Sequence, residues 1–228
     1  MDTKLTDLSF IKKNYLSQEE CDLLINYFEK SKYYSIENSN DSTNNYIKTA
    51  KFKVANVKSG TKEFLFLKKK IRLAIIEYSK HLDSIGLYNV LINNFLQFSH
   101  AYRILKYEEG GEIHPHIDHF VGNYATLTFN LNEEYDGGEF SFFNGKYDIK
   151  LERGDLLMFP ADIFWQHSVK TITKGTRYSF NTFLSSYPFD FYRQQEEEYK
   201  KKVMKYLEGI SKEDLLGPYF PERTVFNK

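Results

Sequence analysis

Residues 125–132 read ATLTFNLN, a short β-branched and aromatic run whose period is that of a strand. Similar runs lie on both sides: SHAYRILKY from Ser99, GEFSFF from Gly138, KYDIKL from Lys146, DLLMFP from Asp155, HSVKTIT from His167 and TRYSFNTFLS from Thr176. Turn residues separate them. Gly137-Gly138 and Gly154-Asp155 mark two turns, and Asn144-Gly145 has the chemistry of a type I′ hairpin. With the stretch around His116 added, the count comes to about eight strands, which two antiparallel sheets would close as a jelly roll. The expected fold is therefore mainly β with supporting helices: a double-stranded β-helix with N-terminal helices packed on one sheet and a C-terminal helix.

The flanks read differently. Ser17 and Glu20 form a capping box ahead of Cys21, Leu24, Ile25 and Phe28 at helical spacing, which predicts a helix over 16–30. A longer helix follows from Phe64, Leu67, Ile71, Ile75, Tyr78 and Leu82, with lysines on its other face and His81 near its end. Ser39–Tyr46 (SNDSTNNY) reads as a solvated loop, with a lid as its alternative use. Beyond Pro188, Tyr192, Tyr199, Val203, Tyr206 and Ile210 form one helical stripe, which could cover the barrel or make a homodimer contact. We expect a single domain over 1–228: helical support over 1–96, a jelly-roll core over 97–186 and a helical extension over 187–228.

Composition narrows the function. The 228 residues are 41% hydrophobic and 17% aromatic, enough for a packed core. Lys+Arg 31 against Asp+Glu 31 gives no net charge, which argues against a nucleic-acid partner. No apolar run approaches the ~18 residues of a membrane span, and the start has no signal-peptide core, so no membrane partner and a cytoplasmic location are expected. A single cysteine, Cys21, excludes an internal disulfide or a thiolate metal cluster within one chain, and its place on the helical stripe makes it a small core residue. A metal would have to use histidine and carboxylate.

Residues 114–119 read HPHIDH. On a strand His116 and Asp118 share a face, with Ile117 behind them. His167 opens a later strand, expected to face the first, and supplies a third ligand. Two histidines and a carboxylate are the ligand set of non-haem Fe(II) oxygenases. His114 has the parity of His116, but three alternate positions with Asp118 would span about 13 Å, so it is placed at the rim, and His119 should point away. A cupin-type site using His114 and His116 would want a glutamate shortly beyond, and none is there. Arg177, with Ser179 on the same strand face, offers a fork and a hydroxyl to a terminal carboxylate.

Together YEEGGEIHPHIDH, LNEEYDGGEFSF and HSVKTITKGTRYS resemble the Fe(II)/2-oxoglutarate-dependent dioxygenases, in the prolyl 4-hydroxylase-like branch. The resemblance implies that His116, Asp118 and His167 bind Fe(II), and that Arg177, Ser179 and Tyr107 hold the far carboxylate of 2-oxoglutarate. Asn130 falls where some relatives have another polar contact to that cosubstrate. It implies further that O2 is consumed, succinate and CO2 are released and an unactivated C–H bond is hydroxylated, with ascorbate as a cofactor such enzymes can draw on. The implied substrate is a prolyl residue in a peptide or protein; a free amino acid or other small molecule on the same scaffold is the alternative, and a non-catalytic jelly-roll binding protein a remote one. Trp165 shares the parity of His167 and is expected, with His114, to line the substrate side. Phe183, six residues past Arg177, departs from the second arginine of AlkB-like nucleic-acid demethylases.

Overall fold

The structure is a computed structural model. It describes residues 4–36, 50–87, 92–118 and 122–188, together with residues 191, 194, 198, 201 and 205. The chain divides into two units, Met1–Pro188 and Phe189–Lys228. In the second, the five described residues are helical; the stripe expected along it, the loop expected at Ser39–Tyr46 and His119 lie outside the described residues.

In the first unit a 3-10 turn (Leu5–Leu8) leads to β1 (Phe10–Lys12), α1 (Gln18–Lys30), β2 (Tyr34–Ile36), β3 (Ala50–Asn56), α2 (Lys62–Ser84) and a single turn α3 (Ile92–Phe95). The strands β4 (Phe98–Tyr107), β5 (Glu112–His116), β6 (Asn123–Asn130), β7 (Tyr135–Gly137), β8 (Phe140–Phe142), β9 (Tyr147–Ile149), β10 (Leu156–Pro160), β11 (His167–Val169), β12 (Ile172–Gly175) and β13 (Arg177–Ser185) follow. The capping box forms as its residue types dictate: Glu20 N–H donates to Ser17 Oγ, and Ser17 N–H to the Glu20 carboxylate. Thr61 caps α2 in the same manner through Phe64 N–H.

The main path of the sheet runs β1-β10-β6-β13-β4-β3-β5-β11-β8-β9, with β2 beside β3 and a separate β7-β12 ribbon. Its turning point is β3. Lys53–Asn56 pair with β4, while Ala50 and Lys51 pair with β5, so one strand joins the two halves of the double-stranded β-helix. The region expected to be helical support thus also contributes three strands. At the Asn144-Gly145 turn the connection is four residues long, because Phe142 pairs with Tyr147 and Phe143, Asn144 and Gly145 all have positive φ.

Period-two alternation sorts the side chains of the larger half into two layers. Ile104, Leu127, Phe129, Leu156, Met158 and Phe180 pack against Cys21, Leu24 and Phe28 of α1 and Leu67, Ile71 and Ala74 of α2. Each fully buried large side chain there is worth about 1.5–3 kcal/mol. Cys21 is fully buried in this layer, and burial pushes its thiol up to about 11, as befits a packing residue. The opposite faces of the same strands look into the space between the sheets, where Leu105, Leu157, Phe159, Phe140, Phe142 and Val169 form a second apolar cluster around a polar centre.

Candidate active site

β5 and β11 are hydrogen-bonded neighbours, and the Cα of His116 stands opposite that of His167. The expectation that His167 would lie on a facing strand is corrected: the two imidazoles come from adjacent strands, with ring centres 4.3 Å apart. Asp118 lies past the end of β5 rather than on it, and the chain's exit from the strand swings its carboxylate between the rings. His116 Nε2 is 3.4 Å from Asp118 Oδ1, and His167 Nε2 is 3.4 Å from Asp118 Oδ2. One ligand atom from each of the three lies within 4.8 Å of the others. Three ligands held by one metal at ~2.1 Å would lie ~3 Å apart, closer than the 3.4 Å of the two imidazole–carboxylate pairs and the 4.8 Å that bounds the set.

The backbone decides which nitrogen faces that centre. His116 Nδ1 is 2.9 Å from the carbonyl of His114, and His167 Nδ1 is 3.0 Å from the carbonyl of Trp165. A carbonyl only accepts, so each Nδ1 carries the proton and each Nε2 presents a lone pair. Asp118 is held in turn: Thr126 donates its hydroxyl to Oδ2 at 2.6 Å, and Asn123 donates to its backbone carbonyl at 3.2 Å. Burial alone would raise the Asp118 carboxyl, but the two imidazoles and the Thr126 hydroxyl outweigh it and hold the group well below the usual carboxylate range. The group is therefore an anion ready for a cation.

The triad opens on a cavity of about 640 Å³ bordered by β4, β5, β6, β11 and β13. Beside it Arg177 is 1% exposed. Its guanidinium carbon lies over the rings of Tyr107 and Phe140, 5.2 Å from each centre. Nε donates to Asn130 Oδ1 at 3.1 Å, an oxygen that also accepts from the Tyr135 hydroxyl. Asn130 is anchored by its own amide nitrogen, which donates to the carbonyls of Asn132 and Leu151. Gly138, at φ +71°, is required here, since a Cβ would stand 3.0 Å from Arg177 Cδ and 2.6 Å from Ile172 Cδ1. Both terminal nitrogens of Arg177 are buried without a hydrogen-bond partner among the described residues. A buried guanidinium left in that state is costly unless an anion completes it, which fits a carboxylate ligand. Tyr107 and Ser179 border the cavity next to it, and burial pushes the Tyr107 phenol up to about 12, so it remains a donor.

Of the two expected substrate-side residues, Trp165 stands elsewhere. The Trp165 ring is 1% exposed, packed against Phe142, Phe143 and Phe159, and does not border the cavity. Parity failed because β11 begins at His167, after Trp165. His114 is exposed at the cavity rim with its Nε2 3.1 Å from Glu112. Both contribute through their carbonyls, which orient the imidazoles two residues later. Asn130 braces Arg177 and does not border the cavity. His100 bonds Asn123 Oδ1 at 2.8 Å and stays outside the triad. The sequence reading missed Thr126, Arg103 and Asn181. Alternation applied to β4, β6 and β13 would have found them, since they share the faces of Tyr107, Thr128 and Ser179.

The geometry agrees with comparison to known proteins. Residues 102–185 match the family model of the 2OG-Fe(II) oxygenase superfamily. A PKHD-type hydroxylase of Aliarcobacter butzleri is 33% identical over 86 residues, 32% of this chain and 37% of the relative. One from Cupriavidus pinatubonensis is 31% identical over 111 residues, 46% and 48% of the two chains. The aligned part of this chain thus spans less than half the length of these relatives. Among solved structures, a Trichoplax adhaerens prolyl hydroxylase in complex with a hypoxia inducible factor peptide fragment has a TM-score of 0.61 at 17% identity, covering 79% of this chain and 84% of that one. The viral collagen prolyl hydroxylase from Paramecium Bursaria Chlorella virus-1 has a TM-score of 0.55 at 19% identity, covering 79% and 97%. These likenesses show the double-stranded β-helix. Among the described residues no helix is long and apolar enough to cross a membrane. The family match begins within β4 and ends with β13, a segment that contains all three triad residues and Arg177, and over it this chain resembles the 2OG-Fe(II) oxygenase superfamily.

Proposed function

We propose that the protein is an Fe(II)- and 2-oxoglutarate-dependent hydroxylase of an unactivated C–H bond, with His116, Asp118 and His167 as iron ligands and Arg177, Ser179 and Tyr107 as the seat of the cosubstrate's far carboxylate. The observation that carries the reading is the pairing of two unfinished sites on one sheet: a carboxylate between two imidazole lone pairs, and beside the same cavity a buried guanidinium whose terminal nitrogens lack an acceptor among the described residues. Iron with 2-oxoglutarate supplies the oxidation of the C–H bond, one oxygen atom of O2 going to the product and the other to succinate as CO2 leaves. The chain's own residues do the placing. Thr126 fixes Asp118, the carbonyls of His114 and Trp165 fix the imidazoles, and Asn130 fixes Arg177.

The favoured substrate is a prolyl residue in a peptide or protein, supported by the prolyl hydroxylases among the structural neighbours. A 640 Å³ cavity with walls of Phe52, Leu105, Ile113 and Phe140 suits an apolar ring. Expected on incubation with Fe(II), 2-oxoglutarate and proline peptides is succinate formation matched by a product one oxygen atom heavier. Succinate without any oxygenated product across proline peptides would remove the prolyl assignment, and no 2-oxoglutarate turnover at all would remove the enzyme.

A further inference from the structure

A second guanidinium stands on the inner face of the same sheet. The register of β4 and β13 sets Arg177 opposite Tyr107, Ser179 opposite Leu105 and Asn181 opposite Arg103. Arg103, Asn181 and Phe183 all border the cavity that holds the triad. Four residues along β13 separate Asn181 from Arg177, about 13 Å of strand, whereas an extended five-carbon dianion spans only about 6 Å. The guanidinium carbon of Arg103 lies 5.0 Å from the centre of the Phe183 ring, so the side chain leans along β13 away from Arg177. Among the described residues its Nε is buried without a partner, as is the side-chain oxygen of Asn181. Among the described residues no carboxylate forms an ion pair with Arg103.

Charge counting sharpens the point. Asp118 is the only carboxylate among the described residues bordering the cavity. Fe(II) with Asp118 leaves one positive charge, and 2-oxoglutarate with Arg177 leaves one negative, so these four cancel. Arg103 then remains as one unmatched positive charge in a part-buried, apolar-walled space, a state that favours an anionic guest. An internal prolyl residue flanked by neutral residues would not supply one.

Resting on the dioxygenase reading, we propose that Arg103 and Asn181 form a carboxylate-recognition site for the substrate: the guanidinium, set over the Phe183 ring, takes a carboxylate, and Asn181 Oδ1 accepts an N–H of the same molecule. The substrate is accordingly an amino acid, or a peptide whose carboxylate stands beside the residue to be hydroxylated. The test is calorimetric titration, without oxygen, of protein loaded with Fe(II) and 2-oxoglutarate. The probes are L-proline against L-prolinamide, glycyl-L-proline against its amide, and a capped internal-proline peptide with aspartate or asparagine beside the proline. At least one acid should bind tenfold or more tightly than its amide twin, and the pair that shows it names the source of the carboxylate. Arg103→Gln should erase that preference while 2-oxoglutarate affinity stays within twofold, and Arg103→Lys should restore part of it. Asn181→Asp, nearly isosteric, should weaken the acid alone. Equal binding in all three pairs overturns the proposal. So does a loss of 2-oxoglutarate affinity in Arg103→Gln, which would assign the guanidinium to the cosubstrate. Failure of the wild-type protein to bind 2-oxoglutarate is a separate result, and overturns the dioxygenase reading beneath it.

Discussion

The two faces of β6 are equally buried and chemically opposite. Leu127 and Phe129 on one side, and Thr126, Thr128 and Asn130 on the other, are all at most 3% exposed. The first pair is satisfied by α1 and α2 through packing alone. The second set is committed to polar work: Thr126 to Asp118, Thr128 to the Phe180 carbonyl and Asn130 to Arg177. Burial therefore does not distinguish structure from function in this sheet. The difference lies in what remains unsatisfied, since the apolar face is finished and the polar face ends in Arg177, Arg103 and Asn181, each with a buried polar atom lacking a partner among the described residues.

If the polar face is the functional one, removing its focus should be the most damaging change. His116→Ala, Asp118→Ala or His167→Ala should each abolish Fe(II) binding, read by metal analysis of the purified protein, whereas His114→Ala keeps the iron because its contribution is a carbonyl. Iron lost from His114→Ala but retained by Asp118→Ala would redraw the site. On the finished face the effect should appear in stability instead. Phe129→Ala should lower the unfolding free energy by about 3–5 kcal/mol in denaturant titration, with 2-oxoglutarate affinity of the folded protein unchanged. A drop in that affinity would mean that the faces are coupled.

Smaller changes refine the polar side. Arg177→Lys retains the charge but loses the fork, so 2-oxoglutarate affinity should fall roughly tenfold or more with iron retained, and Ser179→Ala should cost about 1 kcal/mol of binding. Unaltered binding in Arg177→Lys would disconnect the orphaned nitrogens from the cosubstrate. The mildest effect concerns pH. Because the Tyr107 phenol is raised to about 12 in the fold, the folded state keeps a proton that the unfolded state releases nearer 10. Its contribution to stability is complete below about pH 10 and declines as pH rises toward 12. Tyr107→Phe should lack that decline, as followed by unfolding at increasing pH.

Much of this could be read from residue order. His116, Asp118, His167 and Arg177 needed only spacing and donor chemistry, and the capping box of α1 needed only Ser17 and Glu20. What escaped depends on long-range pairing. AKFKVAN at 50–56 becomes a strand because β4 and β5 offer it partners some 50 to 60 residues away. Trp165 was misplaced because alternation was extended across a strand start that only the β8 and β5 pairings define. Arg103 carries no signal of its own in the sequence, because Asn181 and Phe183 meet it only through the pairing of β4 with β13.

The joining role of β3 reaches beyond the architecture. The segment that carries the family likeness, 102–185, begins after this strand. A fragment trimmed to that segment would bare the edges of β4 and β5 at once, leaving two rows of unpaired amides and carbonyls free to recruit strands from other molecules. It would also separate the strand bearing Arg103 and Tyr107 from the strand bearing His116. The smallest piece able to hold this site in solution therefore has to start upstream of Ala50, and the boundary of the likeness is not the boundary of the folding unit.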